Sequence, residues 1–183
     1  MYGMINKAVE GLVRQRFGDE TWERIAVEAG VEDALFLSNE SYPDEVTYRL
    51  VKAASEVLGL PAEQVLQVFG EHWVLNIARV EYGPMMTSTG KSLPEFLQNL
   101  DHLHSRIGLI YPRLIPPSFR VTDLGPASLR LHYHSTRDGL APFVVGLLGG
   151  LATLFHTRVV VEQVASKALG ADHDEFLLRF PAA

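Results

Sequence analysis

The sequence of 183 residues contains no cysteine. This absence excludes disulfide bonds, thiolate zinc sites, a thiol nucleophile, and haem that is attached or ligated through cysteine. It is also typical of proteins from a reducing compartment such as the cytosol. With 47% hydrophobic and 21% charged residues, the chain can still bury a substantial core, and its length predicts a single domain over residues 1–183.

Positive charge and long apolar runs are also scarce. The formal net charge is −6 and the sequence pI is about 5.6, so neither nucleic acid nor an anionic membrane surface is an expected partner. The longest apolar run, LAPFVVGLLGGLATLF, has about 16 residues, whereas a membrane-spanning helix needs roughly 20, so it predicts a buried helix. The opening MYGMINKAVEGL lacks the apolar core of a signal peptide, which favours a cytoplasmic location.

The hydrophobic patterns predict an α+β fold, with an N-terminal helical lobe packed on a C-terminal lobe of helices and a small, about four-stranded antiparallel sheet. The lobes are expected to divide near residue 65, into 1–65 and 66–183. The predicted helices span 3–17, 19–29, 44–58, 61–80, 92–108 and 140–155, with a loop at 83–91. The predicted strands span 118–123, 128–135, 157–166 and 174–180.

One histidine lies on the apolar face of the helix that begins with the capping-box pattern Ser92-Leu-Pro-Glu95. His104 lies on that face, whereas His102 points to the other side, so the two cannot chelate one metal. His104 is therefore either a core histidine bonded to a carbonyl or a single axial ligand to a buried metal cofactor. Imidazole suits iron, and many haem proteins hold the haem by one histidine. The face itself consists of Leu93, Phe96, Leu97, Leu100, Leu103 and Ile107.

The stretch LHYHSTRDG spaces Tyr133, Ser135 and Arg137 two residues apart in a predicted strand, which places them on one face. Arginine binds carboxylates in a bidentate manner, and the two hydroxyls add neutral donors. The row suits an anion at the edge of an apolar pocket, such as a haem propionate; an ordinary polar surface strand is the alternative. His132 and His134 share the opposite face without a carboxylate at ligand spacing, so no second metal site is expected.

Several motifs together carry a family resemblance over nearly the whole chain. In chain order they are MYGMINKA, YPDEVTYRLVKAASEVLGL, FGEHW, LPEFLQNLDHLHSRIG, YPRLIPPSFR, LHYHSTRDGL and DHDEFLL. With them the sequence resembles the H-NOX domains, haem-based sensors of nitric oxide and oxygen that include the haem domain of soluble guanylate cyclase. The resemblance implies haem b, iron protoporphyrin IX, between the helical distal lobe and the proximal lobe.

The resemblance also implies roles for the polar residues of the site. His104 matches the proximal ligand of the haem iron. Tyr133, Ser135 and Arg137 match the motif that binds the propionates. Asp44 matches an acid of the helical lobe that interacts with the motif arginine.

The apolar residues of the site receive roles from the same resemblance. Pro117 matches a proline that presses on the porphyrin and distorts it. Ile5 and Leu147 match residues that touch the haem, and Trp73 and Phe143 match positions of the distal pocket.

One of these matches bears on gas selectivity. Oxygen-binding members carry a tyrosine at the position aligned with Phe143, and phenylalanine has no hydroxyl to donate to bound O₂. The resemblance therefore implies binding of nitric oxide and carbon monoxide in preference to O₂, with the Trp73 indole as the donor that could alter this. Val121 stands where some relatives carry a cysteine, so a thiol-based response is excluded.

The expected output is a signal to another protein. The chain ends at Ala183 soon after the last predicted strand, so a stand-alone sensor rather than an enzyme is expected. Its implied mechanism is release of strain at His104 followed by movement of the lobes, read by a histidine kinase or a cyclic-nucleotide enzyme. A hydrolase based on Ser135 is disfavoured because no GxSxG motif exists. A haem-free carrier of an apolar carboxylate ligand stays open as the alternative.

Overall fold

The protein, described over residues 1–181 by a computed structural model, contains two hydrophobic cores. One lies within a helical lobe and the other within a lobe built on a four-stranded antiparallel sheet. This confirms the predicted α+β class.

The helical lobe closely follows the predicted helices. Amphipathic stripes bury Trp22, Ile25 and Leu50 in its core. The third helix ends at Gly59, whose φ of +65° is a left-handed conformation that glycine adopts without steric cost. The core continues beyond residue 65 to Phe69, so the position of the lobe boundary stays a prediction. The three helices are α1 (Gly3–Phe17), α2 (Asp19–Glu28) and α3 (Asp44–Leu58).

The next helical stretch is longer than the sequence predicts. A π-helical segment, Trp73–Ala78, connects α4 to α5. The predicted loop at 83–91 is wrong, because the helix only kinks at Tyr82, with φ −123° and ψ 15°, and then resumes. Pro84 lies just after this kink, in a first turn where its missing N–H forfeits no helical bond. The two helices are α4 (Ala62–His72) and α5 (Arg79–Thr89).

The helix predicted at 92–108 is in fact two helices, α6 (Leu93–Gln98) and α7 (Leu100–Ile110). Ser92 caps α6 as predicted, since its Oγ accepts a bond from the Glu95 N–H. The break falls at Asn99, whose side chain donates 3.0 Å to the Thr89 carbonyl at the end of α5. The helix that carries His104 therefore has its own direction.

The sheet has the strand order β1-β2-β4-β3, and all neighbours are antiparallel. Alternate residues such as Leu129, Leu131 and Phe176 face the core. The predicted buried helix, α8 (Ala141–Leu154), packs with the inner face in one hydrophobic core. Within the described residues no helix has both the length and the apolarity to cross a membrane. The strands are β1 (Ser118–Thr122), β2 (Ser128–His134), β3 (Val160–Ala165) and β4 (Asp174–Arg179).

Close packing of α8 on α4 joins the two lobes. A Cβ on Gly146 would overlap the backbone carbonyl of Gln67, and one on Gly70 would overlap that of Phe143. The absence of these side chains lets the two backbones approach each other directly. The position of Phe143 relative to the helical lobe is therefore fixed by backbone contact.

Candidate functional site

A largely apolar cavity of about 480 Å³ lies where the two cores meet. Its size is within the range of cofactor pockets. Every side chain that the sequence predicts for the site lies on its wall. They are Ile5, Asp44, Trp73, His104, Pro117, Tyr133, Ser135, Arg137, Phe143 and Leu147.

His104 projects into this cavity from α7. Its Nδ1 is buried and has no hydrogen-bond partner among residues 1–181. Burial lowers the pKa of His104, although the Asp101 carboxylate and the Pro117 backbone oppose this effect. The ring is thus neutral at neutral pH, and a neutral imidazole offers a lone pair to a metal. The bond to the Pro117 backbone also fits a core histidine, whereas the unpartnered Nδ1 on the wall of an apolar cavity favours a ligand role.

The sequence alone did not reveal how α7 is fixed to the sheet. The Asp101 carboxylate accepts bonds from the Phe119 N–H and the Ser118 Oγ, both at 2.8 Å. Phe119 in turn packs against His104, with 5.8 Å between ring centroids. Asp101 therefore positions the histidine one turn after it on α7. Its spacing from His104 was visible in the sequence, but its partners come from a distant strand.

The motif row differs from its prediction in one respect. β2 ends at His134, so Ser135 and Arg137 lie beyond the strand, and strand alternation does not place them on the Tyr133 face. A turn does so instead, in which the Arg137 N–H donates to the Ser135 Oγ at 3.0 Å. Burial raises the pKa of Tyr133, so its hydroxyl stays a neutral donor.

Arg137 is a charged group at the cavity rim. Its Nε donates to Asp44 Oδ2 at 2.7 Å and its Nη1 to the Ile115 carbonyl at 2.9 Å. Partial burial raises the pKa of Asp44, but bonds from the Met1 amino group and from Arg137 outweigh it and hold the pKa below its usual value. The expected contact between the acid of the helical lobe and the motif arginine is thus present.

Aromatic rings form another part of the cavity wall. Phe143 lies 5.3 Å from Phe69 between ring centroids, and Trp73 lies 6.4 Å from the same ring. Trp73 begins the π-helical segment, a feature often found at functional sites. Leu147 follows Phe143 by one turn of α8 and reaches the same cavity.

Two hydroxyls on the wall were missed by the sequence reasoning. Tyr82 and Tyr111 bond to each other at 3.2 Å, and the Tyr82 hydroxyl also lies 3.6 Å from the Met4 sulfur. Burial raises the pKa of Tyr82, so it remains protonated. The signal for Tyr82 was hidden because its kinked segment looked like a loop.

The expectation of no carboxylate near the strand histidines is wrong. On the outer face of the sheet, His132, His173 and Glu175 bring one ligand atom each within 4.8 Å of one another. Glu175 comes from β4, which pairs with β2, so sequence spacing could not place it there.

Val121 faces inward and packs against the sheet core.

Comparisons with known proteins agree on one family. A family model described as haem-NO-binding matches residues 2–163. Soluble guanylate cyclase gcy-31 of Caenorhabditis elegans is 29% identical over 175 residues, which cover 95% of this chain and 24% of that protein. Soluble guanylate cyclase gcy-32 of the same organism is 33% identical over 158 residues, which cover 83% of this chain and 23% of that protein. The chain thus spans about a quarter of the length of these relatives.

The fold is shared with solved structures. The crystal structure of an H-NOX protein from S. oneidensis in the Fe(II)NO ligation state matches with a TM-score of 0.89 at 21% identity, over 100% of both chains. An Fe(II) unliganded H-NOX protein from K. algicida matches with a TM-score of 0.85 at 21% identity, over 100% of this chain and 98% of that chain.

Proposed function

The chain belongs to the haem-NO-binding family, and from this membership we propose that it is a haem-based sensor of nitric oxide that also binds carbon monoxide. The observation that carries the proposal is the neutral imidazole of His104, with its unpartnered Nδ1, in an apolar cavity between two lobes. An imidazole in an apolar cavity fits a haem, and a cationic rim fits its carboxylates.

Different side chains are proposed to bind different parts of haem b. His104 is the proposed iron ligand, and when bound the haem supplies a ferrous iron with an open position for a gas. Arg137 is the proposed clamp on the propionates, with Tyr133 and Ser135 as neutral donors beside it. Pro117, whose rigid ring follows a second proline just before β1, is the proposed source of pressure on the porphyrin.

Contact with the porphyrin faces is the proposed role of the apolar wall. Ile5 and Leu147 line the cavity from the two lobes, and both are only partly buried by the protein itself. Their remaining exposed surface faces a cavity that a flat apolar group would fill. Trp73 and Phe143 complete the pocket in which the gas would bind.

Selectivity for nitric oxide over O₂ follows from the side chains around the gas. Phe143 offers no hydroxyl, and a buried polar ligand without a donor forgoes about 1–3 kcal/mol. Of the two hydroxyls on the cavity wall, that of Tyr82 donates to the Tyr111 oxygen, so the Tyr82 O–H is not available to the gas. The reduced protein should therefore keep its unliganded spectrum in air and change it with nitric oxide or carbon monoxide.

Substitution tests the selectivity. Phe143→Tyr should raise the affinity for O₂, and Tyr82→Phe should leave the spectrum in air unchanged. A stable oxygen complex of the parent protein would disprove the selectivity, and Trp73→Phe would then show whether the indole is the donor.

Two histidines of α7 form a matched pair for the test of the iron ligand. His104→Gly should abolish haem retention unless free imidazole is supplied, whereas His102→Gly should keep it because His102 is exposed. Absorbance of the haem relative to protein measures retention. The opposite result would refute His104 as the ligand. A protein that stays colourless when haem is supplied would favour the haem-free carboxylate carrier.

The proposed output is movement of the helical lobe against the sheet lobe, sensed by a separate protein in the cytoplasm. In the matched guanylate cyclases about three quarters of the length lies outside the aligned region, which supports an output located outside the sensor fold. A histidine kinase or a cyclic-nucleotide enzyme is the proposed partner. Its activity, measured with the sensor present, should respond to nitric oxide for the parent protein and not for His104→Gly.

A further inference from the structure

Three potential ligand residues meet on the outer face of the sheet, on the opposite side from the cavity. His132 on β2 pairs in register with Glu175 on β4, and His173 immediately precedes β4. The Nδ1 of His132 lies 2.8 Å from the Nε2 of His173 and 3.8 Å from the Oε2 of Glu175. All three side chains are largely shielded from solvent.

In each histidine ring, the nitrogen that points away from the cluster also contacts an oxygen atom. The Nε2 of His132 lies 2.8 Å from the Thr122 Oγ1, and the Nδ1 of His173 lies 2.5 Å from the Asp172 carboxylate. An oxygen beside each far nitrogen orients the ring, and a proton held on that nitrogen leaves the near nitrogen with a lone pair for a metal.

We propose that His132 Nδ1, His173 Nε2 and Glu175 Oε2 bind a divalent transition metal, with Zn²⁺ as the best fit and water in the fourth position. Two ligands of a tetrahedral zinc ion lie about 3.4 Å apart, since each bond is about 2.0–2.1 Å long. The observed separations of 2.8 and 3.8 Å bracket this value. The proton shared between the two rings leaves to solvent as the metal enters, and Thr122 then accepts a bond from His132.

The charged groups around the cluster are compatible with a cation. Arg130 bonds to the other carboxylate oxygen of Glu175 and also to Asp123, so it orients Glu175 with Oε2 toward His132. Asp172 adds a second negative charge beside His173. Arg120 is the remaining cation that acts on His132, and it is opposed by Glu175.

Zinc at this position would crosslink β2 to β4 directly behind Tyr133. His134, which stacks on His173 with 4.1 Å between ring centroids, covers one side of the cluster. The site is separate from the haem cavity, because neighbouring residues of a strand face opposite sides. Metal binding should therefore stabilise the sheet without changing the haem spectrum.

Zinc titration of the haem-containing protein tests the proposal, since bound haem keeps His104 out of the competition. After treatment with a chelator, the protein should take up one equivalent of Zn²⁺ from a chromophoric indicator, and its melting temperature should rise. His173→Gln should abolish this uptake. Asp172→Ala, which removes only the group that holds the ring, should weaken zinc binding by about 10–100-fold.

The matched control is His156→Asn, at an exposed histidine with φ +50°, a conformation that asparagine tolerates. It should bind zinc like the parent, and an unchanged haem spectrum shows that each variant is folded. Absence of stoichiometric uptake by the parent, or equal uptake by His173→Gln, would overturn the proposal. Equal affinity in Asp172→Ala would do the same, because the metal would then not depend on the oriented ring.

Discussion

The two lobes meet along two borders with different chemistry. The first, here called the glycine seam, consists of Gly70 and Gly146 between α4 and α8, where backbone lies directly on backbone. The second, here called the polar junction, connects α3 to the turn after β2. The contacts of the seam are between backbone atoms, which cannot rotate away as side chains do. The two helices can therefore separate there only if their backbones move apart.

The polar junction consists of pairs that can exchange partners. Arg137 bonds to Asp44, and the Tyr48 hydroxyl donates to the Asp138 carbonyl at 2.9 Å. Their side chains keep some contact with solvent, with 19% exposure for Arg137 and 33% for Asp44. Water can therefore replace each partner at modest cost.

This difference indicates where the molecule can move. A border of close backbone contact acts as a pivot, and a border of exchangeable ion pairs can open and close. Arg137 belongs to both the junction and the cavity rim, so an anion at the rim competes with Asp44 for its donors. We infer that events in the cavity reach the helical lobe through this arginine.

The largest effect is expected when a methyl group is added to the glycine seam, which tests whether this border is as tight as the comparison requires. Gly146→Ala would push a Cβ into the Gln67 carbonyl, so the free energy of unfolding should fall by about 3 kcal/mol or more, at the upper end of overpacking effects. Denaturant titration followed by circular dichroism measures the change.

The same helix offers a matched control. Within residues 1–181 no atom lies within 4 Å of the Cβ position of Gly149, so Gly149→Ala should raise the free energy of unfolding by about 0.5–1 kcal/mol through reduced backbone entropy. Equal effects of the two substitutions would show that the seam is not a tight border.

The sequence predicted the elements on either side of this seam but not the seam itself. The helix predicted at 61–80 begins one residue before α4, and the apolar run located α8 to within one residue at each end. From the sequence, the glycines of α8 could be interpreted only as interruptions of an apolar run. Their role in close packing depends on the backbone of α4, which is distant in sequence. Likewise, Pro84 read as a loop because its position after a kink depends on tertiary packing.

For the site, the sequence predicted the residues that line the cavity but not the contacts that hold them in position. His104 and Tyr133 could be placed on faces by counting, since helical and strand periods are local properties. Asp101 could not be identified, because both groups that bond to it come from the start of β1. Arg137 reaches the cavity by a turn, so strand alternation gave the right residue for the wrong reason.

The next largest effect separates the two roles of Arg137. Charge-assisted bonds are worth about 1.5–3 kcal/mol each, so Arg137→Ala should lower haem affinity by roughly tenfold to a hundredfold. Asp44→Asn weakens the junction and the bond from the Met1 amino group but leaves the arginine free for the propionates, so haem affinity should stay near that of the parent. Transfer of haem to apomyoglobin measures both, and equal losses would mean that Arg137 acts on the haem only through Asp44.

A smaller effect concerns acid stability at the junction. The pKa of Asp44 in the folded protein lies below its ordinary value of 3.8, so its contribution to folding is fully present above that pH and disappears as the pH falls through the folded pKa. Asp44→Asn should therefore be less stable than the parent at pH 6, by up to about 1 kcal/mol. The difference should shrink toward zero below pH 3.8, as measured by urea titration at each pH. A difference independent of pH would show that the carboxylate charge is not what holds the junction.

The smallest expected effect is at Tyr48, where the junction depends on one neutral hydrogen bond. Tyr48 is 37% exposed and its acceptor is the Asp138 carbonyl, so water can replace the lost hydroxyl. Tyr48→Phe should lower the free energy of unfolding by no more than about 0.5 kcal/mol. Because Asp44 and Tyr48 lie one turn apart on α3 and reach the same turn after β2, their losses should not add when both are replaced. A double-mutant cycle by urea titration measures this coupling, and strictly additive losses would mean that the junction opens one contact at a time rather than as a unit.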